Sequence, residues 1–327
     1  MLRALGLFVL LIVLTIGAAG AAYFWFLGEV AGPGPLAQPA TVIIAPGSGV
    51  NAISRQLSQA NIIAKPWMMT LEARRTGQDR SLKPGEYRFD AALSLSAVIS
   101  KIVRHDVVAR FVTIPEGLVT ADIKRILEGA EGLMGEATAQ VADGDLLPET
   151  YRYEWGDKRD VILGHMRTAR DNLVKELWDA RAADLPLNGP EEAVILASIV
   201  EKETGVGSER PHVAAVFINR LRKGMKLQSD PTVAYGVAGS DAATLTYADL
   251  ERPTPFNTYV IPALPPSPIC HPGRAALQAV LNPIASDDLY FVADGSGGHA
   301  FAATLEEHNR NVAHWRQVQK QKNSAPK

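Results

Sequence analysis

Apolar positions along the chain fall into one long run, one shorter run and many short alternations. Residues 4–27 carry no charge, a length that spans a bilayer as a helix. Arg3 precedes this run, and Tyr23, Phe24, Trp25 and Phe26 close it in the manner of an interfacial aromatic belt. The second run contains Ala193, Val194, Ile195, Leu196, Ala197, Ile199 and Val200. Pro190 suits the first position of a helix there, and a helix apolar on every face belongs in a core.

The shorter patterns predict the rest. Residues 41–45 are β-branched and read as a strand. Residues 50–59 read as a helix with Ile53 and Leu57 on one face, 64–75 as another, and 82–89 as a turn entering a strand. A helix near 95–103 leads to 112–117, which repeats the strand and prolyl turn of 42–47, and Ile123 and Leu127 then repeat Ile53 and Leu57. Residues 128–143 read as helix plus loop, 146–156 as a structured loop, and 160–181 as an amphipathic helix. A helix over 213–221 follows, while the proline-rich 252–271 cannot be regular and is expected to wall a site. A helix at 273–281, strands at 289–293 and 299–301, and a terminal helix over 305–321 complete the chain.

These elements predict an α+β fold: a single N-terminal transmembrane helix, small α+β modules, then a mixed α+β catalytic domain. The boundaries are expected at 1–28 for the cytoplasmic tip and anchor, 29–40 for a Gly/Pro linker, 41–106 for a first module and 107–327 for the catalytic domain. Residues 107–135 form a second small unit within it. Arg3 favours the cytoplasmic side for the N-terminus. A cleaved signal peptide is the weaker reading, because bulky aromatics follow the small residues at 18–22. The β-α-α-β order of the first module and its Leu82-Lys83-Pro84-Gly85-Glu86-Tyr87 close resemble a LysM carbohydrate-binding module.

Net charge is −2, with no basic excess, which argues against nucleic acid as a partner. The single cysteine, Cys270, excludes an intrachain disulfide and reads as a buried, inert thiol.

The familiar catalytic patterns are missing: no phosphate-cradling glycine loop, no HExxH and no GxSxG. His299, His308 and His314 are spaced too irregularly for a convincing zinc site, and Ser198 with Lys202 is the ordinary i, i+4 pairing of a helix. The core helix does, however, end in Glu201-Lys202-Glu203. A carboxyl at the end of an apolar helix is desolvated and feels the negative helix terminus, so its pKa rises toward that of a general acid. Two residues apart, the two glutamates cannot share a helix face. Spacing does not say which one enters a cleft. Polar groups gather afterwards: Glu209, Arg210, Asn219, Arg220, Gln228, Asp230, Thr232 and Tyr235, then Asn257 and Tyr259 in the proline-rich segment. With Ser198 they form a candidate set for binding a hydroxyl- and acetamido-rich substrate, or a buried network tying helices together. Ser229 or Asp230 is expected to cap a helix.

Three stretches carry a family resemblance: ILASIVEKET with SERPHVAAVFINRLRKGMKLQSDPTVAYG, then PTPFNTYVIPALPPSPICHPG, then YFVADGSGGHAFAATLEEHN. Here the chain resembles the MltG (YceG-like) endolytic murein transglycosylases, with Ser267 and Cys270 as minor departures. The resemblance implies one catalytic glutamate, Glu203, followed by Thr204 as in the Glu-Ser pair of other lytic transglycosylases. It implies cleavage of the MurNAc–GlcNAc bond within nascent glycan strands, giving 1,6-anhydroMurNAc ends and limiting strand elongation. No metal or cofactor is implied. The implied location is the bacterial inner membrane, single-pass, with the catalytic domain outside. The implied partners are peptidoglycan strands and cell-wall synthases of elongation or division. Two other readings stay open: a hydrolytic muramidase with Asp230 as second carboxylate, and a non-catalytic glycan-binding scaffold.

Overall fold

A computed structural model describes residues 2–239 and 244–324. The chain divides into two compact units, one formed by residues 1–110 with 152–157 and one by 111–151 with 158–327.

The first unit begins with α1 (Leu2–Ala31), whose segment Leu5–Ala31 is long and apolar enough to cross a membrane. The helix continues unbroken through the small residues at 18–22 and past the expected linker boundary. Strand β1 (Ala40–Ile44), helices α2 (Val50–Gln59) and α3 (Pro66–Arg75) and strand β2 (Gly85–Phe89) give the β-α-α-β order, and α4 (Leu95–Val103) follows. β1 and β2 pair antiparallel, from Ala40 opposite Phe89 to Ile44 opposite Gly85. Their core joins Ile44, Tyr87 and Phe89 to Ile53 and Leu57 of α2, Met69 of α3 and Ile99 and Ile102 of α4.

Residues 29–40 are not the free spacer their composition suggests. Phe26 and Val30, on the last turns of α1, and Leu36 are buried in the core of this unit. Gly34 donates its N–H to the Ala92 carbonyl at 3.3 Å. A Cβ at Gly34 would collide with the Leu93 carbonyl oxygen, so only glycine permits this approach. The Gly/Pro run is a strap laid on the module, fixed by one leucine that a compositional reading passes over.

The second unit takes up the chain within β3 (Arg110–Thr113), followed by α5 (Thr120–Gly129), which buries Ile123 and Leu127 as α2 buries Ile53 and Leu57. No helix forms over 130–149, contrary to the helix-plus-loop expectation. Strand β4 (Thr150–Tyr153) interrupts the loop expected at 146–156. Helix α6 (Arg159–Asp179) then leads to α7 (Pro190–Glu203). Pro190 lies in the first turn of α7 with Glu191 and Glu192, where carboxylates suit the positive end of the helix dipole. The apolar run of α7 makes it the central element: Ala193, Val194, Leu196, Ala197, Ile199 and Val200 have no exposure. Packed on it are α6, α8 (Arg210–Arg222) and, from after the proline-rich segment, α11 (Arg274–Leu281). Between α8 and α11 lie α9 (Asp230–Ala238), ended by Gly239 at φ 68°, and the short α10 (Tyr247–Glu251). The antiparallel hairpin β5 (Tyr290–Ala293) and β6 (His299–Ala302) and the terminal α12 (Leu305–Ser324) finish the unit.

Candidate active site

Helix α7 ends at Glu203 because Thr204 turns to an extended backbone. Glu201 and Glu203 part there as the helix geometry requires. Glu201 turns away from the cavity with its side chain only 4% exposed: one oxygen accepts from Arg210 at 3.0 Å and the other from the Gly273 N–H at 2.9 Å. Glu203 instead enters a cavity of about 430 Å³ with Arg220, Gln228, Asp230 and Tyr259 in its wall. Phe291 and Val292 of β5 and His308 and Val312 of α12 supply the facing side.

Desolvation by this wall pushes the Glu203 carboxyl up to about 7, and the neighbouring Asp230 charge pushes in the same direction. Opposing them are the hydrogen bond from Ser229 and the positive potentials of His299 and Arg220. The Ser229 hydroxyl donates to Oε1 of Glu203. Ser229 was expected as a helix cap, but α9 has no side-chain cap, so this hydroxyl serves the carboxyl instead.

Ser229 is held by a buried hydroxyl cluster. Its N–H donates to Oγ1 of Thr258 at 2.9 Å, and Thr232 donates to its carbonyl at 2.7 Å. The Thr232 and Thr258 hydroxyls are 2.9 Å apart, and the Gln228 N–H donates to the Thr258 carbonyl at 3.1 Å. Gln228 sits at φ +54°, a left-handed conformation unusual outside glycine. Such local strain is characteristic of functional sites. Tyr259 donates its hydroxyl to Oδ1 of Asp230 at 2.7 Å, and burial followed by this bond raises its pKa.

Arg220 braces the same wall. Only 8% exposed, it donates to the Leu289 carbonyl at 2.6 Å, to the Lys226 and Leu227 carbonyls at 3.1 and 2.9 Å, and to Oε1 of Gln228 at 3.1 Å. Its guanidinium lies over the Tyr290 ring at 5.2 Å. The other face of this corner is His308, stacked on Tyr290 with ring centroids 5.1 Å apart. Burial and the Arg220 charge lower the His308 pKa. Its Nδ1 has no partner among the described residues.

Of the candidate binding residues, Arg220, Gln228, Asp230 and Tyr259 thus meet around Glu203, and Thr232 supports them from beneath. The others satisfy the fold and do not line the cavity. Ser198 donates to the Ile195 carbonyl and accepts from Ile269 N–H, in the core. Lys202, its proposed partner, points to the Gly117 carbonyl. Asn219 donates to the Ser286 and Asp288 carbonyls, and the buried Asn257 to those of Asp249, Leu250 and Arg252. Tyr235 bonds Asp143, Arg210 pairs with Glu201, and Glu209 accepts from His299 at both its N–H and Nδ1. These polar side chains answer backbone or side-chain groups within the fold, the commonest use of such residues. Sequence reasoning left out Thr258 and Phe291 and gave Ser229 and His308 other roles. A signal for His308 exists in hindsight: it is the polar break in the apolar stripe of α12 that faces β5.

The pattern that defines the YceG-like family matches residues 42–314. An endolytic murein transglycosylase of Bacillus subtilis is 34% identical over 170 residues, covering 51% of this chain and 46% of that protein. One of Streptococcus pneumoniae, strain D39, is 28% identical over 321 residues, covering 84% of this chain and 58% of that one. The chain thus spans about half the length of these curated relatives. Among solved structures, a YceG-like protein of Listeria monocytogenes superposes with a TM-score of 0.51 at 28% identity. That likeness covers 84% of this chain and 99% of the other. The match runs from the first strand of the small module to the last helix, and the chain belongs to the YceG-like family.

Proposed function

We propose that the chain is an endolytic lytic transglycosylase acting on peptidoglycan, with Glu203 as its single acid and base. The observation that carries this is the Glu203 carboxyl, its pKa lifted to about 7, in a cavity whose wall also holds the Tyr259 hydroxyl, the Gln228 amide, the Arg220 guanidinium and the Asp230 carboxylate. The names of the relatives point the same way. In this reading the protonated Glu203 gives its proton to the glycosidic oxygen between MurNAc and GlcNAc. The resulting carboxylate then takes the proton of the MurNAc 6-hydroxyl as that oxygen attacks the anomeric carbon. The bond to the leaving sugar breaks and a 1,6-anhydro ring closes. No water is consumed. Ser229 holds Oε1 throughout, which leaves the second oxygen to carry the proton. Attack within one sugar benefits from proximity, so a second protein carboxylate is unnecessary, unlike in hydrolytic glycosidases.

The reading extends to the rest of the chain. α1 is a single-pass anchor in the inner membrane, its N-terminus cytoplasmic and the catalytic unit outside. The β-α-α-β module is LysM-like. Cutting nascent strands internally limits their elongation, in company with the synthases that make them.

One feature favours a second reading. Asp230 lines the same cavity, and a hydrolytic muramidase would use it to activate water. Mass analysis of the products from purified peptidoglycan separates the two. Anhydro ends are expected; reducing ends heavier by one water would establish hydrolysis, and unchanged strand lengths would leave only a scaffold. Because the first step needs the proton, activity falls as pH rises past about 7.

Ser229→Ala moves that alkaline limb upward. The lost hydrogen bond favours the carboxylate form, so without it the proton is held more tightly. One such bond of about 0.5–1.5 kcal/mol corresponds to a shift of roughly half a pH unit or more. A pH–rate profile of the variant checks it, and a limb that stays in place or moves down removes Ser229 from this role.

A further inference from the structure

An apolar groove of about 370 Å³ lies in the first unit, outside the site above. Tyr23, Trp25 and Phe26 of α1 form one side and Trp67 and Leu71 of α3 the other, with Arg75 at the edge. Trp67 and Leu71 are 52% and 47% exposed, and Tyr23 and Trp25 across the groove 48% and 50%. A helix of a small module rarely leaves a tryptophan and a leucine one turn apart in water, next to two more exposed aromatics.

The count along α1 says what covers them. A hydrocarbon core of about 30 Å takes about 20 helical residues. Counted from Leu5, that length ends near Phe24. The helix does not leave the module there: Phe26 and Val30 enter the module core without a break in the helix. Phe26 and Trp67 meet at 6.4 Å between ring centroids. The α3 face therefore stands level with the residues that close the span. Aromatic side chains prefer that depth, between acyl chains and headgroups. Cations flank the patch as well. Lys65, which precedes α3, lies 4.8 Å over the Trp25 ring and pairs with Glu29 at 2.9 Å, Arg75 in the last turn of α3 pairs with Glu72 at 2.7 Å, and Arg74 stands beside it. Long basic side chains at this level reach anionic headgroups while their stems cover apolar surface.

We propose that the β-α-α-β module rests on the bilayer, with Trp67 and Leu71 immersed at the headgroup boundary beside the span. The occupant of the groove is membrane lipid. This rests on the reading of α1 as a membrane span. The module is then a foot fixed on the lipid surface rather than a domain swinging from a tether.

The full chain, reconstituted in phosphatidylethanolamine–phosphatidylglycerol vesicles, tests this by nitroxide depth measurement. Labels are placed one at a time through Leu71→Cys, Ile12→Cys and Arg88→Cys, the last an exposed position on β2 that does not line the groove. The native Cys270 is buried and stays unlabelled. The expected result is a several-fold higher ratio of oxygen to water-soluble nickel-complex accessibility at 71 than at 88, with 12 deeper still. Position 12 immersed but 71 as wet as 88 overturns the docking and leaves the span intact. Position 12 in water overturns the span and the docking together.

Discussion

Glu203→Gln abolishes strand cleavage, a loss of at least ~10³-fold if proton transfer through this one group carries both steps. The amide keeps the acceptor that Ser229 uses but holds no transferable proton. The same variant is more stable than the parent at alkaline pH. In the folded chain Glu203 keeps its proton up to about pH 7, against 4.5 in the ordinary state. A raised carboxyl pKa contributes stability that is fully present below about 4.5 and is lost as pH rises through 7. Above that, the folded protein carries a poorly solvated carboxylate, at a cost of about 1–3 kcal/mol after allowance for the open cavity. Glutamine removes that cost. Melting curves at pH 4.5 and pH 8 should coincide for the two proteins at the lower pH and separate at the higher, the variant melting later. A catalytic residue held against the stability of its fold behaves in this way. Residual cleavage above a few per cent, with anhydro ends, would move the chemistry to another group.

Arg220→Leu destabilises the second unit by about 2–6 kcal/mol, the order expected when two buried carbonyls, those of Leu227 and Leu289, lose their donor. The guanidinium answers three backbone carbonyls and Gln228. Leucine fills similar space and answers none, so the Leu289 and Leu227 carbonyls are left buried without a donor. Arg220→Lys recovers little, since an ammonium cannot reach acceptors spread along the planar fork. Urea denaturation measures both. A loss below about 1 kcal/mol for the leucine variant would mean that the carbonyls find other donors and that Arg220 is present for substrate alone.

What was legible in the sequence was what repeats or accumulates. The apolar run of α7, the paired faces of Ile53 with Leu57 and Ile123 with Leu127, and the divergence of Glu201 from Glu203 all follow from period and burial. The surroundings of Glu203 do not. Ser229 reaches the carboxyl only because Thr258, 29 residues on in an irregular proline-rich segment, fixes its backbone. Such a segment has no period from which to read a register. Asn219 and Asn257 show the complementary limit. An amide turned to a substrate and one turned to a buried carbonyl are the same letter in the same kind of place. The strap at 29–40 was misread because Gly and Pro outnumber the one side chain, Leu36, that decides its course.

Phe26 and Val30 belong at once to the apolar helix and to the core of the module. A proteolytic cut in α1 between residues 26 and 31 would therefore pull a plug from that core, whereas a cut before Phe26 would leave both side chains in place. Release of the module from α1 and loosening of its core become one event for a cut in that short window, and two separate events for a cut before it.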